Sequence, residues 1–380
     1  MAAPGVAPIS VALDVPGSGN GATEALLAAM LHASEGVSDL IFSPGRPPQV
    51  EIHGQLVPVE VVRLPVLTAD HTRHIASDLI GNNKHAINTL REQGACDISY
   101  SLAGQARFRV NVFIQRGSCA VVMRVIPTVI PDFDSLHLPS SLAEIADLKR
   151  GIVLITGSVG SGKSSTLAAI LDLINTRHSC HIITIEDPIE FLHNHKRSTI
   201  HQRELHSDAP NISLALRAAL RQSPKVIVIG EIRDRDTMEI VLDAAETGHL
   251  VLSSMNTLDT SKTVERVVGY FLPAEQWSAR TRLAKSFRYV ISQRLIPRAN
   301  ASGRVPVVEI LKASTGTREC VETGEHDGRN LLDCIKAGGA SGMQHFDGEL
   351  EKLLHSGTID LETALSYASH PQQLRQMLEK

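Results

Sequence analysis

The rhythm of apolar positions changes along the chain. Leu26, Leu27, Met30 and Leu31 fall at helical spacing within residues 23–33, and Gly36 ends that run. From residue 38 to 126 the apolar runs shorten, as at 40–42, 49–52 and 108–113, and Pro44, Gly45, Pro47, Pro48, Gly54 and Gly104 divide them. Short runs between turn formers predict strands, so residues 23–126 predict a small α+β domain. Residues 127–139, with three prolines, predict a linker.

Beyond the linker, continuous apolar runs at 152–156, 182–185, 226–229 and 250–253 alternate with helical stretches at 163–174, 213–222 and 234–247. Strands apolar on both faces belong in a parallel sheet covered by helices, which predicts an α/β core over residues 140–298. After about Pro297 the chain turns polar, and residues 299–380 predict a helical tail. There Leu350, Leu353 and Leu354 form one stripe ended by Gly357, and Asp360 can cap a helix carrying Leu361, Ala364 and Leu365. Residues 1–22, rich in Gly, Pro, Ala and Ser, predict a mobile leader.

Composition narrows the picture. With 380 residues and 43% hydrophobic content the chain exceeds one compact core, consistent with two domains. A net charge of −4 gives no overall footprint for a duplex or an anionic membrane, so no nucleic acid is expected as partner. No stretch approaches the roughly 20 apolar residues that span a bilayer, and the first residues lack a signal-peptide layout, so a cytoplasmic location is expected. The five cysteines are scattered and contain no C-x-x-C pair, which predicts reduced thiols rather than disulfides or a zinc site.

The strongest chemical signal is Gly157-Ser158-Val159-Gly160-Ser161-Gly162-Lys163-Ser164, which matches G-x-x-x-x-G-K-[ST] between an expected strand and an expected helix. By chance the pattern arises in roughly one chain of this length in a hundred. Glycines let backbone N–H groups close around phosphate oxygens, the lysine reaches the β and γ phosphates, and the serine ligates Mg²⁺. Phosphoryl transfer to water also needs carboxylates to orient the water and support the metal. Glu186, Asp187 and Glu190 follow one expected strand and Glu231 ends another, where parallel sheets place their ligand sites. Taken alone, each acidic segment reads equally well as a solvated loop.

Taken together, GSVGSGKSST, TIEDPIEF, HQREL, ALRAALRQSPKVIVIGEIRD and AAETGHLV resemble the PilT branch of the secretion ATPases. SDLIFSPGRPPQVEIHGQL and ARFRVNVFIQRG are similar to that family's N-terminal domain. The resemblance implies an α/β fold class: a PAS-like α+β domain, then a RecA-like P-loop ATPase domain with a C-terminal helical tail. It implies a homo-hexamer that uses ATP and Mg²⁺, acting on a type IV pilus through an inner-membrane platform protein.

Residue by residue, it implies that the loop from Gly157 through Ser164 to Ser165 binds nucleotide, with Lys163 on phosphate and Ser164 on the metal. Glu190 would be the general base, Asp187 its support, and Glu231 the acid acting on Mg²⁺ or its waters, since Gly230 stands where many P-loop ATPases carry an aspartate. Arg109 and Arg124 would complete a neighbouring subunit's site. His249 matches the first histidine of the family's His box, but Asn256 stands at the second, where it can hydrogen-bond and cannot become charged. The absence of a four-cysteine module and of a long N-terminal region favours pilus retraction, and Arg318 keeps one position of a family tail motif. The alternatives are an accessory retraction paralogue, a type II or type IV secretion motor, a non-hydrolysing nucleotide-gated scaffold, or a RecA-like nucleic-acid translocase. The 3% aromatic content argues against the last.

Overall fold

Alternation builds the first sheet, in which exposed Arg109 stands between fully buried Phe108 and Val110. The computed structural model describes residues 9–11, 20–52, 54–61, 64–127, 129–299, 303–326 and 330–378. It divides into two compact units, Met1–Val129 with Pro188–Leu192, and Ile130–Asp187 with His193–Lys380.

The first unit holds β1 (Ile9–Val11), β2 (Val37–Phe42), β3 (Gln49–Ile52), β4 (Gln55–Val61), β5 (Ala95–Leu102), β6 (Ala106–Gln115) and β7 (Ser118–Ile126). They form one sheet in the order β1-β4-β3-β2-β7-β6-β5, parallel only between β1 and β4. Helices α1 (Asn20–Leu31), α2 (Ala69–Ile80) and α3 (Lys84–Gln93) share its core, where Leu27, Met30 and Leu79 join Phe42 and Phe108. Thr68 caps α2 by accepting from the His71 amide at 3.2 Å.

The expected leader is corrected here. Ile9–Val11 pairs with β4 and α1 begins at Asn20, while residues 1–8 and 12–19 lie outside those described. Of the expected linker, residues 130–139 group with the second unit, and Thr128 is not among the described residues.

The second unit is built on β8 (Gly151–Thr156), β9 (His181–Glu186), β10 (Thr199–Glu204), β11 (Val226–Glu231), β12 (Leu250–Met255), β13 (Phe287–Pro297) and β14 (Arg304–Lys312). Their order is β10-β9-β11-β12-β8-β13-β14, parallel except for β14. Helices α4 (Lys163–Arg177), α5 (Ile212–Ala219), α6 (Arg235–Glu246), α7 (Thr260–Gly269) and α8 (Gln276–Ser286) cover both faces. Every residue of β8 and β12 is buried. Val153 and Ile155 face α4, and Ile152 and Leu154 face the core shared with α5 to α8, so each face needs its own apolar set.

The region expected to be helical from residue 299 instead opens with a strand. In β14, Val305 and Val307 pack under the tail, while Val308 and Ile310 join the α4 side. Burial on both faces explains the dense apolar run that conceals the strand period. Helices α9 (Thr315–Thr323), α10 (Leu331–Ala337), α11 (Phe346–His355), α12 (Leu361–Tyr367) and α13 (Pro371–Leu378) follow. Arg294 on β13 fastens the tail: Nη1 donates to the Tyr367 carbonyl at 2.6 Å, Nη2 to Ser369 Oγ at 3.1 Å, and the guanidinium lies 3.7 Å from the Phe346 ring centroid. Among the described residues no helix is long and apolar enough to cross a membrane.

Candidate nucleotide site at one edge of the parallel sheet

Parallel strands deliver their C-terminal ends to one edge, and register aligns those ends here. Thr156 pairs with Met255, Ser254 with Glu231, and Ile229 with Ile185. The loop of residues 157–162 leaves β8 at this edge and runs into α4.

Its glycines have separate reasons. Gly157 has φ 148° and Gly162 φ 88°, so both backbones favour glycine. Space agrees, because a Cβ on Gly157 would lie 2.4 Å from the Gln293 carbonyl and one on Gly162 would lie 2.8 Å from Gln293 Nε2. Gly160 has φ 79° and nothing within 4 Å, and neighbouring Val159 is 87% exposed at the loop tip. Lys163 Nζ donates to the carbonyls of Gly157 and Ser158 at 2.8 and 2.9 Å, which holds the ammonium across the loop mouth. Ser161 Oγ is buried without a partner, and Ser164 and Ser165 are half-buried in the first turn of α4. A helix N-terminus, a glycine cradle and a lysine over its mouth fit the phosphates of a nucleotide.

Beneath the loop lies a buried hydroxyl chain. Thr156 Oγ1 and Ser292 Oγ are 2.8 Å apart, Thr263 Oγ1 donates to Thr156 Oγ1 at 3.4 Å, and Thr257 Oγ1 lies 2.7 Å from Thr263 Oγ1. These bonds tie β8 to β13 and α7, so the strand feeding the loop is braced on both sides.

The acids gather on the same edge. A bulge between Ile229 and Glu231 shifts the register, and Ser254 Oγ pins it by donating to the Gly230 carbonyl at 2.6 Å. A bulge re-aims the side chain that follows it, here Glu231. Glu231 Oε1 accepts from Asn256 Nδ2 and Oε2 accepts from Arg233 Nε at 2.8 Å. Arg233 Nη1 also lies 4.0 Å from Asp187 Oδ2, so one guanidinium stands between two carboxylates. These bonds fix Glu231 in direction, one donor on each carboxylate oxygen.

A model of the type II/IV secretion system protein family matches residues 83–342. The chain belongs to this family of ATPases. The type IV pilus retraction ATPase PilT of Pseudomonas aeruginosa is 38% identical over 340 residues, 90% of this chain and 96% of that protein. The twitching motility protein of Neisseria gonorrhoeae is 38% identical over 327 residues, 86% of each chain. Among solved structures, the pilus retraction motor PilT with bound ADP superposes with TM-score 0.81 at 37% identity, covering 93% of this chain and 99% of that one.

The other residues singled out by the family resemblance fall in different places. Glu190 lies in the short segment Pro188–Leu192, which groups with the first unit. Arg109 and Arg124 stand directly opposite each other on β6 and β7. Arg124 Nε donates at 2.9 Å to Asp39 Oδ1, whose side chain is 6% exposed against 72% for Arg124, so a buried carboxylate steadies an exposed guanidinium.

His249 lies elsewhere in the fold. It precedes β12 at the opposite edge of the sheet, where its carbonyl accepts from the Gly151 amide and its Nδ1 lies 3.0 Å from the Ala244 carbonyl. Six residues of strand, roughly 20 Å, separate that edge from the phosphate loop, so this chain does not bring His249 to its own loop. Conversely, Arg233 and Gln293 meet the site's residues and were not anticipated. The arginine follows Glu231 by two positions, which was the available signal. Nothing local marks Gln293, because only β13 pairing beside β8 brings it under the loop.

Proposed function

We propose that the chain is a homo-hexameric ATPase motor that retracts a type IV pilus, with the second unit as a RecA-like core and the first as a PAS-like domain. The observation that carries this reading is a complete phosphate loop and a hydrogen-bonded Glu231 on one sheet edge, in a chain alike to a retraction ATPase along almost its whole length. ATP is bound by the loop of residues 157–165, with Lys163 on the β and γ phosphates. Mg²⁺, when bound through Ser164 and near Glu231, supplies neutralisation of the phosphate charge. Glu190 takes the proton of the attacking water, and Asp187 supports the acid cluster. Arg109 and Arg124 act in trans on a neighbouring subunit's nucleotide, where a guanidinium spreads positive charge over the transferring phosphoryl group. The motor works at the cytoplasmic face of the inner membrane, against a platform protein of the pilus base, and needs no nucleic acid.

Lys163→Ala and Glu231→Ala should each lower ATP turnover at least about a hundredfold. Mixing Arg124→Ala with Lys163→Ala chains should restore activity, because some mixed interfaces carry both intact halves. Mixtures that co-assemble and never exceed the sum of the parents would remove the trans assignment. Cells lacking the protein should keep surface pili and lose twitching, whereas bald cells would point to extension.

A further inference from the structure

Gln293 touches the phosphate loop in more ways than a core glutamine needs. It sits on β13, 4% exposed, beside β8. Its Oε1 accepts from Thr166 Oγ1 at 2.7 Å, in the first turn of α4, and Thr166 is wholly buried. Its carbonyl backs onto Gly157 and its Nε2 onto Gly162, close enough that a Cβ at either glycine would collide. One residue therefore contacts the first glycine of the loop, the last glycine, and the helix that the loop enters.

We propose that Gln293 is a positioning residue for the nucleotide: it clamps the phosphate loop and the start of α4 in the shape that receives the phosphates. The inference rests on nucleotide binding at this loop. A clamp acts before the ligand arrives. Without it the free loop samples other conformations, and the cost of returning to the receptive one is taken from the binding free energy. A glutamine that merely fills the core affects stability and leaves affinity alone.

The experiment uses the full chain and three variants: Gln293→Met, which keeps volume and loses the acceptor, Thr166→Val, which removes the donor, and the double variant. ADP affinity is measured by calorimetry, melting temperature by scanning calorimetry, and amide exchange of residues 157–165 without nucleotide. Each single variant should bind ADP about tenfold more weakly, the scale expected for one buried hydrogen bond, and should exchange its loop amides faster. KM for ATP should rise by a similar factor while kcat at saturation stays within about threefold. The double variant should regain much of the lost melting temperature, since no buried polar atom is left unpaired, while its ADP affinity stays low. Affinity that recovers together with stability in the double variant would overturn the proposal, as would single variants that bind ADP within about twofold of wild type. If Gln293→Met does not fold, Thr166→Val alone decides by the same affinity criterion. Lys163→Ala serves as the reference. If it too binds ADP normally, nucleotide binding at this loop is what fails, whereas weak binding there beside normal binding in Thr166→Val removes only the clamp.

Discussion

Asn256 and His249 flank the same strand and differ in everything that matters to the site. Asn256 follows β12 at the edge with the phosphate loop and donates to Glu231. His249 precedes β12 at the far edge and lies against the end of α6. Both belong to one stretch of sequence that reads as a single motif. The difference teaches that a motif running the length of a strand spans the whole sheet, so its two ends meet different chemistry.

The sharpest way to break this comparison is to place charge at the near end. Asn256→Asp sets a second carboxylate against Glu231, and ATP turnover should fall by about ten- to a hundredfold, because like charges at that separation compete for one proton. A rate within threefold of wild type would mean that Asn256 does not bear on Glu231 in the working enzyme. Asn256→Ala should cost less, several-fold, since Arg233 still holds the other carboxylate oxygen. Asn256→His should stay near wild type at neutral pH. A strong gain from histidine with no loss from alanine would make the position a degenerate one. At the far end, His249→Ala should leave the chain's ADP affinity within about twofold, and a tenfold loss would contradict the distance between the two edges.

The smallest effect concerns a third imidazole. His193 is pushed down to about 4 by burial, and its buried Nδ1 has no partner. A depressed value means that the folded chain binds fewer protons than the unfolded one below the ordinary histidine pKa of about 6.5. The stability tied to a neutral His193 is present above that pH and is lost as pH falls towards 4. Melting temperature should therefore fall less between pH 7 and 4 in His193→Phe than in wild type. Equal slopes would place the acid sensitivity elsewhere.

What could be read beforehand follows from how local each signal is. The phosphate loop needs only the residues from Gly157 to Ser164 and the strand and helix beside them, all contiguous. The cap by Asp360 is equally local, and its side chain accepts from the Thr363 amide at 2.7 Å. β1 is a three-residue strand among glycines and prolines, too short to display a period. β14 is buried on both faces, which removes the alternation that would have announced it. Gln293 acts through strand pairing, which no spacing along the chain encodes, whereas the one local sign of Arg233 is its place two positions after Glu231. His249 was singled out by its match to the family's His box, whereas register decides the edge on which it stands.

β13 has a mechanical property that follows from adjacency. Gln293 bears on the phosphate loop, and the next residue, Arg294, grips Tyr367, Ser369 and Phe346 of the tail. Successive side chains of a strand point to opposite faces, so these two grips lie on either side of the sheet with a single peptide unit, about 3.3 Å, between them. A force that drags the tail helices along β13 thus has almost no slack to take up before it strains the backbone at Gln293. The strand works as a short, stiff pin through the sheet, with the tail at one head and the phosphate loop at the other.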